Sequence, residues 1–343
     1  MKELLDELSS AKGVSGYEEE IRAVMKKRLS RYGETEVDKF GNVVCKKGSG
    51  NPKIMIAAHM DEIGLLVKYV DENGFIRVIP MGGVDDETLP ACGVVVLTES
   101  GELPGIIGFK PPHLKKEEED KKKKLKLDDM YIDSGLDKEA VKKKVQIGDP
   151  VVFDSKFTDL GKNFSGKALD NRAGCAALIE VMKRLADFKG TVYGVATTQE
   201  EIGLKGARTS AYAIKPDFAI ALDTGIAGDT PDINKNESNL ELGKGPAITV
   251  VESSGRGMVP SPQVKKHLIR CARDAKIPYQ LEATKGGMTD GAIIYMSNEG
   301  VRTGGISIPT RYIHSPLAIA NYKDVENAAK LAVEFVKRIG EIL

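Results

Sequence analysis

Apolar and polar positions along this chain alternate with two periods, and the places where the period changes divide it. The segment Met1-Lys2-Glu3-Leu4-Leu5-Asp6-Glu7-Leu8 has the spacing of an amphipathic helix carrying acids, unlike a signal peptide. Ser15-Gly16-Tyr17-Glu18 has the form of a capping box, in which the Ser15 hydroxyl accepts from the Glu18 amide and Glu18 reaches back. The helix it predicts has Ile21, Val24, Met25 and Leu29 on one face and ends near Gly33. Asp38-Lys39-Phe40-Gly41-Asn42 reads as a turn between two short strands. The apolar run at 53–58 predicts a central strand buried on both faces, leading into His59-Met60-Asp61-Glu62.

From Leu65 the texture changes. Strand-like runs of about five residues, at 65–70, 75–80, 94–97 and 106–107, alternate with turns at 71–74 and 99–102, and a late strand is predicted within 149–154. This spacing predicts a β-rich domain over residues 66–165, inserted into an α/β domain made of residues 1–65 and 166–343. Near Gly166 the longer pattern resumes. Asp170 stands just ahead of a helix carrying Ala176, Leu178, Ile179, Val181, Met182 and Leu185. A buried strand at 192–196 runs into Thr197-Thr198-Gln199-Glu200-Glu201-Ile202-Gly203, with a helix near Ala207. A strand at 217–222 ends in Asp223. Strands at 248–251 and 279–283 flank a helix at 263–275, and a flexible turn at 285–291 follows. A strand at 306–309 precedes His314. The closing helix, from about Tyr322, has Val325, Ala328, Leu331, Ala332, Phe335 and Val336 inside.

Composition narrows the function. The chain has 343 residues, enough for two domains, and 50 basic against 50 acidic side chains, so its formal charge is zero. That balance argues against nucleic acid or an anionic membrane as partner and leaves self-association open. The mixed lysine–glutamate run at 115–124 reads as a solvated face of the insertion. No apolar run approaches the ~18 residues of a membrane span. Cys45, Cys92, Cys175 and Cys271 are scattered without a CxxC pair and read as small hydrophobes in a reducing compartment, which places the protein in the cytoplasm.

Against this background, charged residues at the ends of core strands stand out, because an unpaired buried charge costs several kcal/mol. His59, Asp170, Glu201, Asp223 and His314 all lie at or near such ends, where an open α/β sheet forms its ligand crevice. Ligands drawn from segments far apart in the chain, with nitrogen and oxygen donors and no thiolate, suit a catalytic site for zinc, cobalt or manganese. Five ligands suffice for two ions if one carboxylate bridges them. Asp170 is the best bridge, leaving His59 and Asp223 for one ion and Glu201 and His314 for the other. Glu200, beside a ligand but not one itself, is the candidate general base. Asp61 is the candidate acid orienting the His59 ring.

The segments Ala57-Ala58-His59-Met60-Asp61-Glu62-Ile63-Gly64, Gln199-Glu200-Glu201-Ile202-Gly203-Leu204-Lys205-Gly206 and Arg311-Tyr312-Ile313-His314-Ser315-Pro316, with 167–174 and 220–224, resemble the M42 metallo-aminopeptidases, including the tetrahedral (TET) enzymes. The resemblance runs over essentially the whole chain in the same order. It implies a zinc-peptidase-like α/β sandwich with a mixed central sheet, interrupted by a PDZ-like β domain that mediates assembly. It implies two divalent ions per subunit, Zn2+ or Co2+, held by the five ligands above, with Glu200 and Asp61 in the roles above. It also implies removal of the N-terminal residue from short peptides, and a homo-oligomer, a twelve-subunit tetrahedron built from dimers. Thr224-Gly225 departs from the β-branched pair of the family and bears on side-chain preference. The competing expectations are a non-catalytic scaffold or chaperone-like assembly of the same fold, and a metal-dependent deacylase or carboxypeptidase. A glycosidase fits poorly, since glycosidases generally work with a carboxylate pair and no metal.

Overall fold

The computed structural model describes residues 1–114, 124–253 and 255–343, so the charge run at 115–124, apart from the exposed Lys124, lies outside the described residues. Helices α1 (Lys2–Ser10) and α2 (Glu19–Leu29) open the chain, followed by strands β1 (Glu34–Val37), β2 (Val43–Ser49) and β3 (Lys53–His59). Next come β4 (Gly64–Val70), β5 (Ile76–Met81), β6 (Gly93–Thr98), β7 (Gly101–Gly108), β8 (Tyr131–Asp133), helix α3 (Lys138–Lys144) and β9 (Pro150–Phe153). The remainder is β10 (Thr158–Leu160), β11 (Asn163–Gly166), α4 (Leu169–Arg184), β12 (Gly190–Thr197), α5 (Lys205–Ile214), β13 (Phe218–Ile226), β14 (Ala247–Glu252), α6 (Pro262–Asp274), β15 (Gln280–Thr284), α7 (Gly291–Ile294), β16 (Arg302–Arg311), β17 (Ala318–Asn321) and α8 (Tyr322–Lys337).

The large sheet is mixed. Its order is β1-β2-β12-β3-β13-β16-β17-β11-β10, with β14 pairing both β15 and β16. Strands β12, β3, β13 and β16 form a parallel centre, so their carboxyl ends meet at one edge. Strand β3 explains the layering. Ile54, Ile56 and Ala58 face the larger core, with residues of α1, α2, α4, α6 and α8, while Met55 and Ala57 face a smaller one built with α5. A strand covered on both faces needs the continuous apolar run the sequence has there.

Strands β4-β5-β8-β7-β6-β9 close into a six-stranded barrel with its own apolar interior, including Leu65, Val78, Val96, Ile132 and Phe153. The barrel strands run from Gly64 to Phe153. β10 pairs with β11, and β11 pairs with β17 of the large sheet. Beside the point where the chain enters the barrel, Lys167 Nζ lies 2.7 and 2.8 Å from the two carboxylate oxygens of Glu62, and the fully buried Arg172 donates to the carbonyl of Met60. No helix among the described residues is long and apolar enough to cross a membrane.

Two local expectations are corrected. The Ser15–Glu18 capping box does not form: α2 begins at Glu19 without a side-chain cap. Ser15 instead donates its hydroxyl to Asp61 at 2.5 Å, a charged and buried acceptor. The strand expected to stop before Asp223 continues to Ile226, so Asp223 lies within it.

Candidate metal centre

The parallel register explains why distant residues meet. Ala57 of β3 faces Ala221 of β13, so His59 and Asp223 come level two residues further on. Thr197, at the end of β12, is paired with His59. His59 is buried, with Nε2 3.2 Å from Asp170, 3.6 Å from Asp223 and 3.9 Å from Glu200. Asp170 occupies a distorted first turn of α4, where the backbone at Asp170 and Asn171 is non-helical and the peptide between them is cis. Its second oxygen lies 3.5 Å from Nε2 of His314, which is itself 3.9 Å from Glu201. All five expected ligand residues therefore converge, with Glu200 beside them.

Glu200 and Glu201 sit on a tight loop after β12. Four successive backbone amides there find side-chain acceptors: Thr198 N–H donates to Asn42, Gln199 N–H to Glu18, and Glu200 and Glu201 N–H to the two oxygens of Asp61, at 3.0 and 3.2 Å. Buried amides without partners would be costly, and these acceptors remove that cost. Asp61 also lies 3.5 Å from Nδ1 of His59, so it touches both the ring and the paired glutamates. Asn42 and Glu18 are functional supports that the sequence reading missed, because nothing local in the sequence points a turn asparagine at a loop some 150 residues away.

His314 is half exposed and lies on a loop where Tyr312 and His314 both have positive φ. Its Nδ1 lies 2.9 Å from the carbonyl of Gly83, on the loop after β5 of the barrel. Asp290, within the predicted flexible turn, is instead buried and accepts from the Thr197 hydroxyl. Its other oxygen is buried with no hydrogen-bond partner among the described residues.

Electrostatics in the cluster are strained by like charges. Burial, with the Asp170 charge beside it, pushes Glu201 up to about 8. Burial also holds Glu200 well above its ordinary value, helped by Asp223 and Asp290, and raises Asp223. Burial opposes the charged form of His59, but Glu200 and Asp223 outweigh it and raise the ring's pKa. The hydrogen bond to Asp170 lifts His314 to about 9. Burial would raise Asp170 and Asp61 too; both are pulled below the usual range, Asp170 by the two histidines and Asp61 by His59, Ser15 and the Glu200 amide.

These residues fit divalent cations. Donor atoms of His59, Asp170 and Asp223 lie within 4.8 Å of one another, as do those of Asp170, Glu201 and His314. A third grouping, His59 with Glu200 and Glu201, shares the same space. Asp170 belongs to both of the first two sets. Acids crowded closely enough to retain protons near neutral pH are acids whose conflict a cation removes, and the nitrogen–oxygen donor set suits zinc-like ions.

A model of the M42 glutamyl aminopeptidase family matches residues 41–331. The lysyl aminopeptidase of Pyrococcus furiosus is 37% identical over 343 residues, covering 98% of this chain and 97% of that protein. The solved aminopeptidase APDkam598 from the archaeon Desulfurococcus kamchatkensis is 41% identical, with a TM-score of 0.93 over 98% of this chain and 94% of that one. The TET1 peptidase of Pyrococcus horikoshii, which can assemble into a tetrahedron or a large octahedral shell, is 34% identical, with a TM-score of 0.87 over 97% of this chain and 98% of that one.

Proposed function

Because the chain belongs to the M42 glutamyl aminopeptidase family, we propose that it is a two-metal aminopeptidase that removes the first residue from short peptides. The observation that carries this reading is the convergence of His59, Asp170, Glu201, Asp223 and His314 at one sheet edge, with Glu200 beside them. In this reading Asp170 is shared, His59 and Asp223 complete one site, and Glu201 and His314 the other. Two divalent ions there, Zn2+ or Co2+, would polarise the scissile carbonyl and acidify the attacking water.

The chain's own residues do the rest. Glu200 accepts the proton of the water and passes it to the departing amine. Burial, with Asp223 and Asp290 nearby, raises its proton affinity, and its place beside the ligands puts it within reach of the water. Asp61 holds Glu200 in place through the backbone amide and steadies the His59 ring. A cleft of about 1150 Å³ reaches the centre and has room for an extended peptide end.

The barrel is the PDZ-like assembly module in this proposal, and the particle is a homo-oligomer with its sites facing inward, a tetrahedral dodecamer built from dimers. Four free cysteines fit a reducing cytoplasm. Peptides with free and acetylated N-termini, assayed alongside metal analysis, test the reading. Release of the first residue from free peptides alone is expected. Preference for blocked peptides would favour a deacylase, release from the carboxyl end a carboxypeptidase, and no turnover by a fully metallated particle a scaffold.

A further inference from the structure

The cleft beside the metal centre holds an acid to which the mechanism assigns no task. Glu282, on β15, lines it together with Gly225 and Ile226 of β13, Val251 of β14 and Met288. Glu282 is partly buried on the cleft wall, close to Ser307, the residue paired with Asp223 across the sheet. The charges of Glu252 and Asp223, both negative, act on it, and Lys285 lines the same cleft. Glu252 is differently placed: its two oxygens accept from the Met258 amide, at 3.0 Å, and from the Thr289 hydroxyl, at 3.1 Å. Among the described residues, Glu282 has no such pair of donors. Its carboxylate lies against Gly225, where an added Cβ would come within 2.8 Å of Oε1, so the absent side chain at 225 is what leaves room for it.

The spacing matters as much as the charge. Gly225 is two residues beyond Asp223 on the same face of β13, about 7 Å along the strand. A peptide whose first residue is held at the metal centre would send its side chain along this wall. The wall is apolar at Ile226, Val251 and Met288 and ends in the Glu282 carboxyl group. A four-carbon stem tipped by an ammonium, or a guanidinium on a similar stem, matches both properties. An acidic side chain would meet a like charge, and a purely apolar one would leave the carboxylate without a charged partner.

We propose that Glu282 is a specificity-determining residue that selects peptides beginning with lysine or arginine. This rests on the aminopeptidase reading above. The metal-loaded full-length protein is assayed on p-nitroanilides of lysine, arginine, norleucine, leucine and glutamate. Norleucine keeps the lysine stem without its charge. A kcat/KM for lysine ten- to hundredfold above norleucine is expected, carried mainly by KM. Glu282→Gln should lower the lysine-to-norleucine ratio at least tenfold, with circular dichroism and metal content checking that the variant is folded. Should that variant not fold, the wild-type comparison still decides. Turnover of leucine or glutamate anilides with no preference for lysine or arginine overturns the Glu282 assignment alone, as does a lysine-to-norleucine ratio unchanged in Glu282→Gln. Turnover of none of the five overturns the aminopeptidase reading as well.

Discussion

The ring Nδ1 of His314 lies 2.9 Å from the carbonyl oxygen of Gly83. A carbonyl only accepts, so Nδ1 carries the proton, and Nε2 is the ring atom that faces Asp170 and Glu201. A residue on a barrel loop therefore sets the orientation of a side chain that follows the last strand of the parallel centre. The partner that fixes a ligand's tautomer is commonly worth ten- to hundredfold in metal affinity.

Gly83→Ala is expected to disturb this directly, since the added Cβ would lie 2.6 Å from His314 Nδ1. The ion held by Glu201 and His314 should weaken about ten- to hundredfold, while the ion on His59 and Asp223 persists. Metal titration by calorimetry should then show one tight site, against the two expected of the wild type. Two unchanged tight sites would refute the orienting role of Gly83.

Glu200→Gln is expected to keep the metals and lose turnover. Removing a general base costs ~10²–10⁴-fold in rate, and the Glu200 amide remains to bind Asp61. Elemental analysis with kcat decides: a near-normal rate would mean that another group takes the proton.

The metal-free protein is expected to lose stability as pH rises from about 5 to 9. Glu201 is raised to about 8 when folded, so between its ordinary range and 8 the native state binds more protons than the unfolded one. His314, raised to about 9, acts with the same sign above its ordinary value. Metal should therefore raise Tm more at pH 8 than at pH 6, where protons compete for the same ligands. A metal-free Tm that climbs from pH 6 to 9 would contradict the protonated cluster.

Light scattering is expected to give a particle of about twelve chains with metal present, the number in a solved TET dodecamer. Replacing residues 65–154 by a short linker should leave smaller particles. An unchanged mass after that deletion would remove the barrel from the assembly.

Much of this was legible because strand ends are easy to read. An apolar run stopping at a histidine or a carboxylate locates His59 and Glu201 without a structure, and the helix period locates the face of α8. What escaped was contact at a distance. Ser15 and Glu18 have the local form of a cap, yet Asp61 and the Gln199 amide outcompete it. Asp290 lies in a glycine-rich segment that reads as a turn, yet it is buried against Thr197. The strands at 158–166 are short and half polar, and only the pairing of β11 with β17 reveals which sheet they belong to.

The Glu62–Lys167 pair joins positions 105 residues apart, and β3 must find β12 and β13 across still longer stretches of chain. Such topologies fold slowly, because distant strands must meet before either gains a partner. The barrel changes that search. Its hairpins, β4 with β5 and β6 with β7, pair near neighbours in sequence, and once Leu65 meets Val151 the long excursion between β3 and the rest of the large sheet shrinks to two short arms. We expect the barrel to form first and act as a clamp that brings β3 towards its partners. Pulsed hydrogen exchange during refolding should then find barrel amides protected before those of β3, and the reverse order would reject the clamp. The insertion that splits the large domain in sequence would thus be what shortens the route to assembling it.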